Sequence, residues 1–287
     1  MSAAVNTVSI PPNDPRLLAR LRDLCAGDGV RLDLLEAAFV LSLMYSAKTF
    51  DLGPFRQHVA VLAEDVANLV HRRGAVPEAL AGVIARAYGY RGDSETYDDL
   101  QNADLARVIE RRKGLPVALS VIYLHVARRQ GWHAEGLAFP GHFLIRVAID
   151  GARHVIDPFH DGAVRDAADL RGLVRKVLGD DAELSPAHFD AVPDRDVILR
   201  LENNVRLRLV QREDWLGATH SLDRMLAIAP DRPELLFEAG QLNARLDKRR
   251  AAIAAFERFL HVGSDGADPA LRRRASALLQ ELRRGLN

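Results

Sequence analysis

One stretch of the chain combines a helical pattern with an alternating pattern, and it constrains the fold more than any other segment. It covers residues 111–162 and reads RRKGLPVALSVIYLHVARRQGWHAEGLAFPGHFLIRVAIDGARHVIDPFHDG. A break at residues 114–116 starts a helix that continues to about residue 130, because proline is tolerated in a first turn, where its missing N–H would be unpaired anyway. We expect this helix to pack on the strands that follow it.

The second half of the stretch has the signature of a β-hairpin. Apolar residues alternate over residues 143–148, and Asp150-Gly151 separates them from a second strand that ends at Asp157. An Asp-Gly pair between two such segments is a strong short-range hairpin signal. The pattern therefore predicts two antiparallel strands, with His142 on the first and Asp157 on the second, close enough to meet.

His142 and Asp157 supply two of the three groups of a papain-like site. In such a site a thiolate lies at a helix N-terminus, a histidine on a strand pairs with it, and an acidic residue on the next strand orients the imidazole. The helix, the histidine strand and the aspartate strand occur here in that order, but the helix start near Pro116 has no nucleophile. The elements therefore follow the order found in papain-like enzymes, but the helix start lacks the cysteine that such enzymes use as the nucleophile.

Four other sources of chemistry remain open. Ser120 lies one helical turn beyond Pro116 on roughly the same face, although a serine inside a helix commonly donates to the carbonyl four residues before it. A water molecule activated by His142 and Asp157 is the second. The one cysteine, Cys25, lies in an apolar helical segment, where an inert buried thiol is the ordinary interpretation.

A metal site is the fourth. Two imidazoles and a carboxylate could bind zinc with an open position, and the candidate ligands are His142, His154, Asp157 and His160. Strand alternation puts His154 and Asp157 on opposite faces, because they are three positions apart. The sequence therefore predicts no metal and no other cofactor. A buried imidazole that donates to a carboxylate also satisfies both groups without any chemistry, so a structural role of the pair stays open.

A small basic cluster precedes the helix start. A solvated turn is its ordinary interpretation, although with the backbone N–H groups of the helix start it could receive a carboxylate or a phosphate. The candidate binding residues of the expected cleft are Arg111, Lys113, Pro116, Gly141, His142, Phe143 and Asp157.

The C-terminal part of the chain repeats with a period of 34 residues. The pairs that show this spacing are Ala218 and Ala252, Leu222 and Phe256, and Leu226 and Leu260. The period, the small residues where helices approach and Pro230 at the end of one unit resemble tetratricopeptide repeats, which commonly form protein-binding surfaces. The predicted domains are a flexible N-terminus at residues 1–13, an α+β domain at 14–190 with a helical part at 14–112 and a core at 113–183, and a helical repeat domain at 197–287.

Composition limits the classes of binding partner and the cellular compartments that we expect for this protein. Lys plus Arg and Asp plus Glu both total 39, so the overall charge favours neither nucleic acid nor an acidic membrane surface. A single cysteine excludes an internal disulfide framework and favours a reducing compartment. No apolar run approaches the roughly 18 residues of a membrane span. We therefore expect a cytoplasmic protein. Its expected partner is a protein or a peptide.

Several motifs together resemble one protein family. Tyr97, Asn102, RRKGLPVALSVIY, ARRQG, FPGHFLIRV and IDPF are similar to the transglutaminase-like core of the bacterial SirB-type family, whose members carry the description invasion regulator. The resemblance implies a papain-related fold with a helical N-terminal region and a tetratricopeptide tail, in which His142 and Asp157 match the family's His and Asp. Aligning the helix that ends in ARRQG places Pro116 at about the position of the cysteine of true transglutaminases.

The sequence thus favours one function and leaves a second open. The favoured one is a noncatalytic protein- or peptide-binding module with a regulatory or adaptor role, in which an extended segment lies near residues 141–143. The alternative is an acyl transferase or hydrolase that uses His142 and Asp157 with Ser120 or an activated water.

Overall fold

The structure, a computed structural model, describes residues 10–27, 31–262 and 268–284. These residues form two compact units. The site unit comprises residues 31–43 and 48–201, and the repeat unit comprises residues 10–27, 44–47, 202–262 and 268–284. Residues 1–9 of the expected flexible N-terminus lie outside the described residues.

The helices and strands alternate only in the middle of the chain. The α-helices are α1 Pro15–Cys25, α2 Leu34–Tyr45, α3 Gly53–Arg73, α4 Glu78–Leu80 (continued by a π-helical segment, Ala81–Ala87), α5 Leu105–Arg111, α6 Pro116–Arg129, α7 Ala167–Leu178, α8 Asp194–Gln211, α9 Trp215–Ile228, α10 Pro233–Arg245, α11 Arg249–Val262 and α12 Pro269–Arg284. The strands are β1 Arg91–Gly92, β2 Lys113–Gly114, β3 His133–Leu137, β4 Leu144–Ile149, β5 Ala152–Asp157, β6 Ala163–Arg165 and β7 Ala191–Val192. Short 3-10 helices occur at Leu100–Asn102 and Pro186–Phe189.

The site unit is built on an antiparallel sheet with the strand order β6-β5-β4-β3-β7. Its predicted hairpin is present: Ile145 pairs with Ile156 across β4 and β5. Asp150 and Gly151 both have positive φ, 48° and 84°, as the twist of a two-residue hairpin turn requires. Strand β7 lies in the interval between the predicted domains at residues 14–190 and 197–287, and it pairs with β3.

Helix α6 lies at the centre of the site unit. It is apolar on nearly every side, because α3 covers it from one direction and strands β3 and β4 from the other. Pro116 occupies its first turn, as expected. The predicted packing of this helix on the hairpin is therefore confirmed, and the unit has the expected α+β architecture.

The repeat unit contains the predicted helical repeats. Helices α10 and α11 pack so closely that a Cβ at Gly240 would lie 2.5 Å from the Phe256 ring. Helix α1 packs against α9 and buries Leu21 and Cys25. The sequence pattern, in contrast, predicts this helix as part of the α+β domain at residues 14–190. Periodicity shows that a helix has an apolar stripe but not which surface covers it. No helix in the described residues has the length and apolar character that crossing a membrane requires.

Candidate functional site

The hairpin brings His142 and Asp157 into direct contact. His142 lies in a bend two residues before β4, not on the strand itself, and Asp157 is the last residue of β5. The distance between His142 Nε2 and Asp157 Oδ1 is 2.8 Å. The side chain of His142 is 13% exposed and that of Asp157 is fully buried.

Asp157 is the centre of a larger polar network. Its Oδ1 also accepts hydrogen bonds from the backbone N–H groups of Phe159 and His160, both at 3.2 Å. Its Oδ2 accepts from His160 Nδ1 at 2.8 Å and from Arg165 Nη2 at 2.9 Å. The tight turn after β5 carries Phe159 and His160, and strand β6 carries Arg165. One carboxylate therefore holds two imidazoles, one guanidinium and two peptide N–H groups.

The network keeps Asp157 ionised. Burial by itself raises the pKa of this carboxyl, but the hydrogen bond from His142, the electrostatic interactions with His142 and His160, and the hydrogen bond from Arg165 outweigh it and hold the pKa well below its usual range. An ionised carboxylate can only accept hydrogen bonds, so the His142 proton lies on Nε2. In the neutral ring the Nδ1 lone pair then remains, and Nδ1 has no hydrogen-bond partner among the described residues.

An aromatic wall lies beside the histidines. The Phe159 ring stands edge-on to His142, with centroids 6.2 Å apart, and the Tyr97 ring contacts Phe159 at 6.0 Å. Tyr97 is 43% exposed. Phe159 reaches this position because residue 92 is a glycine: a Cβ there would lie 2.5 Å from the Phe159 ring. The wall therefore depends on Gly92 as well as on the turn after β5.

Arg111 braces the loop that carries Tyr97. Its guanidinium donates to Asp93 Oδ2 at 2.8 Å and to Asn102 Oδ1 at 2.9 Å. Burial raises the pKa of Asp93, but hydrogen bonds from Thr96 and Arg111 outweigh it and lower the pKa to about 2. Arg111 is thus engaged inside the protein, and it positions a loop where the sequence suggested an anion site. Lys113 forms a surface ion pair with Glu95 at 2.7 Å.

The other candidate residues differ in burial and in the contacts that they make. Ser120 is fully buried and donates to the Pro116 carbonyl at 2.7 Å, which is the ordinary helical alternative foreseen for it. Phe143 is buried, and a Cβ at Gly136 would lie 2.6 Å from its ring, so it is not available for the ligand contact expected of it. Gly141 is exposed with a φ of 67°. Cys25 is buried in the repeat unit.

The same cluster has the composition of a metal site. Ligand atoms of His142, Asp157 and His160 lie within 4.8 Å of one another. Asp157, however, already accepts hydrogen bonds at both oxygens and is paired with Arg165. A cation at this carboxylate would displace these donors and face the guanidinium charge. The donor set therefore fits a hydrogen-bonded dyad better than a metal centre.

Sequence reasoning missed three residues of the site: Phe159, Arg165 and the glycine at position 92. His160 was weighed only as a metal ligand or a loop residue. The turn at residues 157–162 is closed by a hydrogen bond from the Gly162 N–H to the Asp157 carbonyl at 3.0 Å. A histidine three positions after an aspartate and followed by Asp-Gly is the signal that could have indicated this turn.

Comparisons with known proteins agree with this architecture. A family model described as "Transglutaminase-like superfamily" matches residues 54–203, and one described as "Tetratricopeptide repeat" matches residues 205–280. A UPF0162 protein of Xylella fastidiosa is 36% identical over 253 residues, which cover 86% of this chain and 89% of that protein. Protein SirB1 of Salmonella typhimurium is 22% identical over 241 residues, covering 83% and 85% of the two chains. F-box only protein 21 of Homo sapiens is 28% identical over 189 residues, covering 62% of this chain and 28% of that protein.

Proposed function

We propose that this chain, which belongs to the transglutaminase-like superfamily and continues into tetratricopeptide repeats, is a noncatalytic protein- or peptide-binding module with a regulatory or adaptor role. The tetratricopeptide match supports protein interaction in general terms. The state of the dyad supports the noncatalytic part of the proposal.

The main observation behind the proposal is a complete histidine–aspartate pair in a unit whose central helix, α6, begins at Pro116 without a thiol. The chain has one cysteine, Cys25, and it lies in the repeat unit. The hydroxyl of Ser120 donates to the Pro116 carbonyl, so its proton is directed along its own helix. A papain-like acyl transfer needs a nucleophile within hydrogen-bonding reach of the imidazole, and the hydroxyl of Ser120 is instead bonded within its own helix.

The dyad nevertheless has features of a recognition surface. Tyr97 is 43% exposed and contacts Phe159, whose ring in turn contacts His142. The Nδ1 atom of His142 takes no part in the hydrogen bonds around Asp157. An aromatic side chain next to a polar group is typical of surfaces that bind peptides, because the ring gives contact area and the polar atom fixes orientation. An extended segment that passes His142 and Tyr97 is the ligand we infer.

A peptide-display selection against the full chain tests this function. Selected peptides should bind the His142→Ala variant about tenfold more weakly or worse, because a ligand group then loses its partner. Arg153→Ala, an exposed position on the neighbouring part of the hairpin, is the matched control and should leave binding unchanged. Equal binding to His142→Ala and wild type would argue against the dyad surface.

The orientation of His142 supports one alternative, a hydrolase or acyl transferase that uses an activated water. An imidazole oriented through Nε2 by an ionised carboxylate can accept a proton at Nδ1. A panel of peptide p-nitroanilides, and a glutamine peptide with a fluorescent amine, would reveal turnover. Turnover that His142→Ala abolishes would replace the noncatalytic proposal, and its persistence in Ser120→Ala would identify water as the nucleophile.

A further inference from the structure

The segment before α1 lies on a second surface, in the repeat unit. Residues 10–13, here called the N-terminal segment, read IPPN. Ile10 is 5% exposed, and its backbone lies beside the His220 imidazole of α9. Asn13 reaches the same helix three residues later. The segment is therefore anchored at both of its ends on one face of α9.

The groups that surround the Asn13 side chain suit a carboxamide. Its Nδ2 donates to the His220 carbonyl at 2.9 Å, and its Oδ1 accepts from Arg224 Nη1 at 2.8 Å. The Asp223 carboxylate also faces this amide. Only a carboxamide side chain offers a donor group and an acceptor oxygen fixed in one plane. The surface thus selects asparagine, or its longer analogue, over an apolar or a basic side chain.

Arg224 gives this surface a buried, positively charged side chain that is held in a fixed position. It is fully buried, and its Nε donates to Glu202 Oε1 at 2.8 Å. Glu202 is held in turn by the hydroxyls of Ser221 and Tyr45 at 2.6 Å and 2.5 Å. Arg224 Nη2 is buried without a hydrogen-bond partner among the described residues. A buried N–H without a partner is unfavourable, so an occupant with one more acceptor would fit this site better than the N-terminal segment does.

The two prolines explain how the segment presents its ends. A Pro-Pro pair favours the polyproline II conformation, which has three residues per turn. Residues 10 and 13 then project from the same side, while Pro12 faces outward and is exposed. A segment that is already extended loses little conformational entropy when it docks, which is the basis of polyproline recognition by peptide-binding domains.

We propose that the face of α9 around His220 and Arg224 is a peptide-docking site. It recognises an extended, proline-containing segment with an apolar residue three positions before an asparagine. The N-terminal segment fills it as an internal ligand, and a partner protein with a segment of this chemistry displaces it. The site lies in the repeat unit and does not depend on the role of His142.

Within residues 10–13, the contacts that hold the internal ligand are the buried Ile10 side chain, the Ile10 backbone beside His220 and the Asn13 carboxamide. Its advantage over an external peptide is its covalent connection, which gives an effective concentration of roughly millimolar order. Weakening both anchors in the full chain should therefore open the site to a peptide added in solution. This consequence separates a docking site from an ordinary structural contact.

The test uses a fluorescent peptide of residues 9–16, SIPPNDPR, with blocked ends. The full-length Ile10→Ser/Asn13→Ala variant should bind it at least about tenfold more tightly than the wild-type chain does. A peptide with Asn13→Leu should lose this binding, and a peptide with Arg16→Ala, which changes an exposed residue, should retain it. The His142→Ala chain should behave as wild type, so a failure here is distinguishable from a failure of the dyad surface.

Two results would overturn the proposal. One is equal affinity of the peptide for the wild-type chain and the folded double variant; the other is equal binding of the Asn13→Leu peptide. If the double variant does not fold, the wild-type chain decides the question. Millimolar peptide should move the NMR signals of the chain's own Asn13 side-chain amide toward their free-peptide positions. Signals that stay in place would exclude displacement.

Discussion

Asp157 joins more polar groups than any other residue discussed at the site, and its replacement should affect all of them together. In Asp157→Asn, His142, His160 and Arg165 lose the charge that they share. Leaving a buried charge without its partner costs about 3–5 kcal/mol. We expect the free energy of unfolding at pH 7, measured with urea, to fall by this amount. Asp180→Asn, at an exposed position, should change it by less than about 0.5 kcal/mol.

The same variant should show where the stability is lost with pH. The pKa of Asp157 is lower in the folded protein than the roughly 3.9 of an unfolded aspartate. The unfolded chain therefore binds the proton first, and the stabilisation present above that value is lost as the pH falls toward the folded pKa. The difference between wild type and Asp157→Asn should shrink below about pH 5. A difference that stays constant down to pH 3 would contradict this origin.

At the level of residues, the sequence predicted the pair and not its surroundings. His142 and Asp157 could be placed together because the Asp-Gly turn fixes the register of the two strands. His160 and Arg165 could not, because their contacts depend on the tight turn after β5 and on a three-residue strand, both too short to leave a periodic pattern. Arg111 looked like a surface charge because its partner Asp93 lies 18 positions away in a loop.

Among the elements, the contact between α10 and α11 offers the sharpest packing test. A Cβ at Gly240 would lie 2.5 Å from the Phe256 ring, inside a buried cluster. Gly240→Ala should therefore destabilise the chain by about 1–3 kcal/mol, because the ring has to leave its position. The measurement is urea unfolding followed by circular dichroism.

Helix α7 provides the matched control for that substitution. A Cβ at Gly172 would meet nothing within 4 Å. Gly172→Ala should stabilise the chain by about 0.5–1 kcal/mol, since alanine restricts the unfolded chain and favours the helix. Similar effects of the two substitutions would show that Gly240 is not selected by close packing.

The helices and the hairpin were easier to predict from the sequence than the elements that they pack against. The start of α6 at Pro116 and the hairpin of β4 and β5 follow from local rules about proline and Asp-Gly. Strand β7 did not, because two residues are too few for an alternating pattern. The helical part predicted at residues 14–112 includes α1, but its position against α9 could not be predicted from the sequence.

For the molecule as a whole, the division into two units makes α1 a part of the repeat unit. Leu21 is fully buried where α1 packs against α9. Leu21→Ala should therefore destabilise the repeat unit by about 2–5 kcal/mol. The chain has two tryptophans, Trp132 in the site unit and Trp215 in α9. In a Trp132→Phe background, the fluorescence of Trp215 reports unfolding of the repeat unit alone.

The urea midpoint reported by Trp215 should move to lower urea in the Leu21→Ala variant. Arg22→Ala, at an exposed neighbouring position of α1, is the comparison and should change the free energy of unfolding by less than about 0.5 kcal/mol. An unchanged Trp215 transition in Leu21→Ala would show that α1 does not contribute to the repeat unit.

The donors that hold Asp157 come from one short interval of the chain, residues 142–165. Such a site is inherited as a block. A recombination event that carries this interval transfers both histidines, the carboxylate and the arginine at once, whereas a crossover inside it separates them. An exchange of the flanking helices by recombination would therefore leave these groups together on one segment of the chain.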